Sequence, residues 1–201
     1  MRIVCRAVGV LGLGAVLAGP LGAQDTRELF FQVYGGGLRS LSTLDRGGIY
    51  DTKTGAGFSG SLGVKIVNRF AVRADLSYAK TAIRFSGAEY GADFDRVFAS
   101  LVAQLQFPSE NGLNPYVLAG GGAAFLNQHA TADPKKTVGH FVGGTGLAYR
   151  IGKTGLSVLG ETRVFLHQPR GLLGNAISDQ RVQWDLFFGF GVSYAFSIGT
   201  Q

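Results

Sequence analysis

Residues 182–196 alternate strictly between two kinds of side chain. The even positions are apolar or aromatic, from Val182 and Trp184 to Tyr194, whereas the odd positions are small or polar apart from Phe187. A period of two predicts one extended strand with an apolar and a polar face, and it excludes a helix. Soluble strands usually have about five or six residues, so this length is more typical of a tilted bilayer-crossing strand, which needs about 9–11 residues.

The same alternation recurs along the chain and predicts eight strands in all. They cover residues 29–38, 58–66, 70–78, 96–107, 115–126, 138–151, 156–168 and 182–196. Glycine triplets beginning at Gly35 and Gly120 interrupt the pattern in the first and fifth strands, so the orientation of their faces stays open. The connections alternate between long polar segments (40–55, 80–93, 127–137 and 169–180) and short turns (67–69, 108–114 and 152–155).

An even number of strands with alternating long and short connections is typical of outer-membrane barrels. In lipid, a sheet must close because open edges would leave backbone polar groups unpaired. We therefore predict an all-β fold, an eight-stranded antiparallel up-and-down transmembrane β-barrel, in the outer membrane of a diderm bacterium. Candidate residues for its interfacial aromatic girdles are Tyr78, Tyr149, Trp184, Tyr194 and Phe196. The alternative is a water-soluble sandwich or a calycin-like cup.

The N-terminal residues predict export through the periplasm. Arg2 and Arg6 precede or flank a short apolar run that Pro20 ends, and a small residue, Ala23, precedes Gln24. This is the order of a secretory signal, and the run is too short for a membrane-spanning helix. We expect residues 1–23 to be a signal peptide and 24–201 to be the barrel domain, which then contains no cysteine.

Charged residues lie on the polar faces of the predicted strands, which in a narrow barrel face the lumen. They are Lys65, Arg73, Asp75, Arg96, Arg150, Glu161, Arg163 and Asp185. Isolated buried ions are costly, so these charges must pair or remain hydrated. The favoured interpretation is a salt-bridged plug, because eight strands leave an interior that side chains can fill. The alternative is a narrow channel for ions or small solutes.

The mature sequence resembles the eight-stranded outer-membrane protein β-barrel family, which includes the OmpA-type and OmpX-type barrels. The resemblance depends on residues 114–116, 143–150 and 161–163 and on the final strand. In the final strand, Gly191, Tyr194 and Phe196 are similar to the signal that the barrel-assembly machinery recognises in this family, although five residues follow Phe196. We expect a non-enzymatic monomer that acts in envelope integrity or in surface interaction through its four loops.

Cations in the predicted outer loops could bind lipopolysaccharide phosphates by charge-assisted hydrogen bonds. They are Arg39, Arg46, Lys53, Arg84, Lys135, Lys136 and Arg170. Outer-membrane lipid, lipopolysaccharide and the assembly machinery are therefore the expected partners. Nucleic acid is not expected, because the basic residues are scattered along the chain.

A lipid A-modifying enzyme is the third and least favoured function. Some barrels similar to this one use a His-x-Ser pair and a glutamate, but here Pro169 stands two residues after His167, and the sequence does not place Ser178 near it. A nucleophile needs its base within hydrogen-bond reach. His129 and His140 have no partner at metal-ligand spacing, so we expect no catalytic residues, metal or cofactor.

Overall fold

The computed structural model describes residues 27–44, 48–129, 135–168 and 182–198. The predicted signal peptide lies outside these ranges. The strands are β1 Arg27–Ser40, β2 Tyr50–Thr52, β3 Gly55–Val67, β4 Phe70–Phe85, β5 Ala88–Gln106, β6 Leu113–Gln128, β7 Lys135–Arg150, β8 Leu156–His167 and β9 Gln183–Ile198. No helix in the described part of the chain is long and apolar enough to cross a membrane.

Every strand except β2 belongs to one closed barrel. The neighbours run in the order β4, β3, β1, β9, β8, β7, β6 and β5, and β5 pairs again with β4. All pairs are antiparallel, including that of the first strand with the last. The predicted all-β, eight-stranded antiparallel up-and-down barrel is therefore confirmed.

The two faces of each strand separate as the sequence alternation predicts. In β9, Trp184, Phe188 and Phe190 are exposed on the outside, whereas Asp185 and Phe187 are buried inside. Large apolar side chains are also exposed on the other barrel strands. So extensive an apolar exterior is incompatible with a monomer dissolved in water, and it fits a surface covered by lipid tails.

The structure settles the two strands whose faces the sequence left open. In β1, Phe31 and Val33 point outward, whereas Tyr34 is buried in the lumen. In β6, Val117 points outward and Tyr116 is buried in the lumen.

The predicted long polar loop at residues 80–93 is wrong. β4 continues to Phe85 and β5 begins at Ala88, so only Ser86 and Gly87 connect them. Both have positive φ angles, 48° and 83°, which is the conformation of a tight type I′ hairpin turn. Gly87 adopts this conformation without steric cost. The hairpin extends past the barrel, where β2 pairs with residues 83–85.

The turn between β3 and β4 also differs from the expected three-residue loop. Val67 pairs directly with Phe70, and the register shifts between Lys65 and Val67. A β-bulge inserts one extra residue into a strand. It therefore keeps the apolar residues of both strands on the outside despite the two-residue turn.

The barrel has two different ends. The short turns and both described termini, Arg27 and Ile198, lie at one end, called the turn end. The β4–β5 hairpin and β2 project from the other, called the loop end. The segments 45–47, 130–134 and 169–181 lie outside the described residues, and they include the whole of the predicted fourth long loop.

Candidate functional site

Four charged side chains form a buried cluster in the middle of the lumen, called the central cluster: Arg73, Asp75, Glu161 and Arg163. Arg73 Nη2 donates to both carboxylate oxygens of Glu161, at 3.0 and 2.9 Å. Arg163 Nε donates to the same carboxylate. This two-arginine arrangement follows from the strand period, because Glu161 and Arg163 share the inner face of β8 while Arg73 reaches them from β4.

Asp75 balances the second positive charge of the central cluster. Its oxygens lie 3.1 Å from Arg73 Nε and 3.2 Å from Arg163 Nη1. Neither contact satisfies hydrogen-bond geometry, so Asp75 acts on the arginines mainly through charge. Arg163 Nη1 instead donates to the hydroxyls of Ser59 and Ser77 at 3.0 and 3.2 Å.

Two tyrosines and two glutamines complete the central cluster. Tyr34, Gln32 and Tyr116 lie in β1 and β6, whose faces the sequence left open, and Gln104 lies in β5. Tyr116 and Tyr34 donate to Glu161 Oε2 at 2.6 and 3.1 Å. Arg73 Nη1 donates to the side-chain oxygens of Gln32 and Gln104 at 2.7 and 3.0 Å. Glu161 is therefore the common acceptor of the cluster.

A second polar group, called the loop-end cluster, lies nearer the loop end. It consists of Ser40, Arg96, His167, Gln183 and Asp185. Asp185 Oδ1 lies 2.5 Å from Arg96 Nη1 and accepts a hydrogen bond of 2.6 Å from Ser40 Oγ. Its other oxygen, Oδ2, lies 2.8 Å from His167 Nε2. This carboxylate thus holds three strands, β1, β5 and β8, against β9.

An aromatic layer separates the two polar clusters. Phe98 and Phe165 stack with their centroids 4.2 Å apart, and His140 contacts the edge of Phe98 at 5.4 Å. Ser100 Oγ lies 2.8 Å from His140 Nε2. Charged and aromatic side chains therefore alternate along the described part of the lumen.

The charges in the two clusters cancel. Three arginines (Arg73, Arg96 and Arg163) face three carboxylates (Asp75, Glu161 and Asp185), and each of the six is at most 4% exposed. Burial of an unpaired charge would be very costly, so this balance is a condition for filling the lumen with ions. The structure thus brings six of the eight charged residues predicted to face the lumen into two buried groups.

Arg150 and Lys65 are the two predicted lumen residues that join neither group. Arg150 is the last residue of β7, pairs with Ser157, and is exposed at the turn end, where the barrel opens. It lines the cavity at this end of the lumen, but the alternation of a strand predicts only a face and not a position along the barrel axis. Lys65 also lies at this end, with its amino nitrogen 3.5 Å from Glu28 Oε2.

The loop end of the lumen is closed by apolar side chains, called the apolar cap: Leu44, Ile83, Phe94 and Leu126. Each is at most 1% exposed. Leu44 belongs to the segment after β1, which folds back so that its backbone N–H donates to the Tyr50 carbonyl at 2.8 Å. The Arg96 guanidinium lies 4.4 Å from the Phe94 ring centroid, so the cap lies directly on the loop-end cluster.

The histidine of the enzyme hypothesis has a carboxylate partner but no serine on its other nitrogen. His167 Nε2 bonds to Asp185, and Nδ1 has no hydrogen-bond partner in the described part of the chain. Ser40 lies nearby, but it donates to Asp185 rather than to the imidazole. Ser178 lies outside the described residues, and among the described ones no three His, Cys, Asp or Glu side chains form a metal-binding group.

The residues of the predicted assembly signal lie near the turn end of β9. Tyr194 and Phe196 are exposed on the outer surface, and Gly191 points inward against the backbone of Val33. Of the girdle candidates, Tyr149 also lies outside at the turn end and Trp184 at the loop end. Tyr78 lies midway along β4 and donates to Asp95 at 3.2 Å.

Two glycines make room for the large side chains in the lumen. A methyl group at Gly146 would overlap the ring of Tyr116, and one at Gly63 would overlap the ring of Phe30. The abundance of glycine in the sequence is explained here by crowding inside a narrow barrel.

Comparison with known proteins gives matches in structure but none in sequence. No protein-family model matches the sequence, and comparison with curated proteins gives no match either. The structure is similar to that of Neisserial surface protein A, with a TM-score of 0.63 at 16% identity over 84% of this chain and 97% of that one.

Two further solved structures are similar over most of both chains. Ail of Yersinia pestis, in complex with the heparin analogue sucrose octasulfate, has a TM-score of 0.55 at 14% identity over 86% of this chain and 100% of that one. The outer membrane protein OprG from Pseudomonas aeruginosa has a TM-score of 0.54 at 10% identity over 88% and 99%. Together with the closed barrel, these likenesses show that the chain has the fold of the eight-stranded outer-membrane β-barrel proteins.

Proposed function

We propose that this protein is a non-enzymatic, non-conducting integral barrel of the outer membrane that acts in envelope integrity or surface interaction. Its turn end faces the periplasm and its loop end faces outward, as in barrels whose short turns are periplasmic. The proposal rests mainly on one observation, the neutral and buried charge network that fills the lumen.

The packing of the lumen argues against a channel. An eight-stranded barrel has an interior just wide enough for side chains, and here two charged clusters, an aromatic layer and the apolar cap occupy it in succession. An ion crossing this interior would have to displace paired charges that cannot be left unpaired without a large cost.

Planar-bilayer recording tests this proposal. We expect the wild-type protein to give no steady current, whereas a sixteen-stranded porin, which leaves an aqueous channel, conducts in the same membrane. The variant Arg73→Ala with Glu161→Ala keeps the lumen neutral but removes the bond between β4 and β8, so its leak should exceed that of the wild type. A steady open-state current from the wild type would refute the plug.

Lipopolysaccharide is the proposed partner at the loop end. Arg39 and Lys135 are exposed and Lys136 is partly exposed, and none of the three makes an ion pair with a described residue. Such cations can bind phosphates through charge-assisted hydrogen bonds. The Ail structure, which contains a sulfated sugar analogue, is consistent with anion binding by barrels of this fold. Arg46 and Arg170 lie outside the described residues.

A further inference from the structure

The turn end of the lumen is open, in contrast to the capped loop end. A cavity of about 60 Å³ enters the barrel here and ends at the side chains of Gln32, Gln104 and Tyr116, which belong to the central cluster. Asn114 and Arg150 line the mouth of this cavity. The lumen is therefore closed at the loop end and open at the turn end, which faces the periplasm in the orientation proposed above.

The opening continues into a groove of about 750 Å³ between the turns, called the turn-end groove. It is lined by Lys65, Arg69, Glu110, Asn111, Asn114 and Arg150, and it reaches Tyr149. Since Tyr149 lies on the lipid-facing side of β7, the groove connects the mouth of the lumen with the lipid surface. Its volume lies within the range of about 300–1,000 Å³ that is usual for small-molecule sites.

Backbone hydrogen bonds fix the two arginines of the groove. The Arg69 carbonyl accepts from Gln106 N at 2.7 Å, and Arg150 N donates to the Gly112 carbonyl at 2.9 Å. These bonds tie the β3–β4 turn to β5 and the β5–β6 turn to β7. The positions from which the guanidinium groups extend are thus set before any ligand binds, which lowers the entropy cost of binding.

The groove has an excess of positive charge. Arg69 and Arg150 make no side-chain ion pair or hydrogen bond with any described residue, whereas Lys65 is paired with Glu28. Glu110 is the one acidic residue among the lining residues. The charges of Lys65 and Glu28 cancel. Arg69, Arg150 and Glu110 together then leave one positive charge in the groove, which a phosphodiester monoanion would neutralise.

We propose that the turn-end groove binds the phosphate of an anionic phospholipid headgroup from the leaflet facing the turn end. A guanidinium group presents two parallel donors to phosphate oxygens, and the side-chain amide of Asn111 supplies donors for headgroup hydroxyls. Asn114 instead holds the turn, because its amide nitrogen donates to the Gly112 carbonyl at 3.1 Å and its amide oxygen accepts from Ser109 N at 3.3 Å. The ring of Tyr149 lies where aromatic side chains contact the membrane–water interface. The inference requires the barrel to span a bilayer, but it does not depend on whether the lumen conducts.

Titration of the full protein in detergent tests this site. The probe is dihexanoylphosphatidylglycerol, and the readout is the NMR shift of the arginine side-chain N–H groups. We expect saturable shifts of Arg69 and Arg150, and about a tenfold or greater loss of affinity, about 1.4 kcal/mol, in Arg69→Gln with Arg150→Gln. Inorganic phosphate, titrated separately, should bind more weakly than the lipid because it lacks the contact with Tyr149.

The matched control is Lys153→Gln, which removes a cation from the neighbouring β7–β8 turn outside the groove. It should bind the lipid as the wild type does. The proposed site would be refuted by an equal loss of lipid affinity in the control and the double variant. It would also be refuted if the wild type showed no saturable binding of the lipid. If inorganic phosphate binds as tightly as the lipid, the lipid assignment is wrong. Heat-modified migration on gels verifies that each variant is folded.

Discussion

Glu161 is the residue on which most contacts of the lumen converge. Its carboxylate receives Arg73, Arg163, Tyr34 and Tyr116, and its side chain has no exposed surface. Removal of this negative charge would leave two arginines with Asp75 as their remaining carboxylate.

We therefore expect Glu161→Gln to destabilise the barrel by about 3–5 kcal/mol, as when one partner of a buried ion pair is removed. The free energy of unfolding in urea, measured in lipid vesicles, checks this value. Glu110→Gln is the matched control, because Glu110 is exposed and makes no ion pair with a described residue; its effect should remain within about 0.5 kcal/mol. Similar stabilities for both variants would contradict a structural role of the network.

The sequence predicted the charged members of this site but not the tyrosines. Arg73 and Glu161 lie in strands whose alternation is clear, so their inward direction follows from the period of two. Tyr34 and Tyr116 lie in strands with glycine triplets, and glycine carries no side chain that would distinguish the two faces. The position of Arg150 along the barrel axis depends on the geometry of the closed barrel, and the alternation of side chains does not predict it.

At the scale of the strand, alternation predicted all eight barrel strands, including the long β9. It failed where polarity was taken as the sign of a loop. Residues 80–93 contain Lys80, Arg84 and Asp93, yet they form a hairpin, because the charged side chains share its outer face while Ile83 and Phe94 are buried on its inner face. Lys80 and Asp93 even pair across it at 2.5 Å.

The outward face of β9 provides the prediction at this scale. Phe190 is 76% exposed and lies near the middle of the strand, so Phe190→Arg should place a charge near the bilayer centre and cost about 2–4 kcal/mol. Ile151→Arg, in the turn after β7, should cost about 0–1 kcal/mol, because it lies at the interface. Unfolding in vesicles measures both, and an equal cost would mean that Phe190 does not face lipid.

At the scale of the whole molecule, the two ends of the barrel differ in a way that the sequence did not predict. The loop end is closed by the apolar cap and extended by the β4–β5 hairpin, whereas the turn end is open. The position of Leu44 inside the cap depends on how its segment folds back onto the barrel, and hydrophobic periodicity contains no such information.

This asymmetry allows a test of the proposed lipopolysaccharide contact at the loop end. Replacement of Arg39, Lys135 and Lys136 by glutamine should weaken binding of detergent-dispersed lipopolysaccharide by about tenfold, and added salt should reduce the difference. The control compares two single variants that each remove one cation, Lys135→Gln at the loop end and Lys153→Gln at the turn end outside the groove, and the second should have little effect. If both single variants lose affinity equally, the binding reflects net charge alone and the proposed loop-end contact is wrong.

The pairing of β1 with β9 has a consequence for how the protein is made. These strands pair along residues 27–40 and 185–198, at opposite ends of the chain. β1 therefore cannot pair with β9 until translation is complete. Closing the loop between two strands so far apart in sequence is slow. Until then both edges can recruit other chains, so we expect a chain that ends before β9 to aggregate.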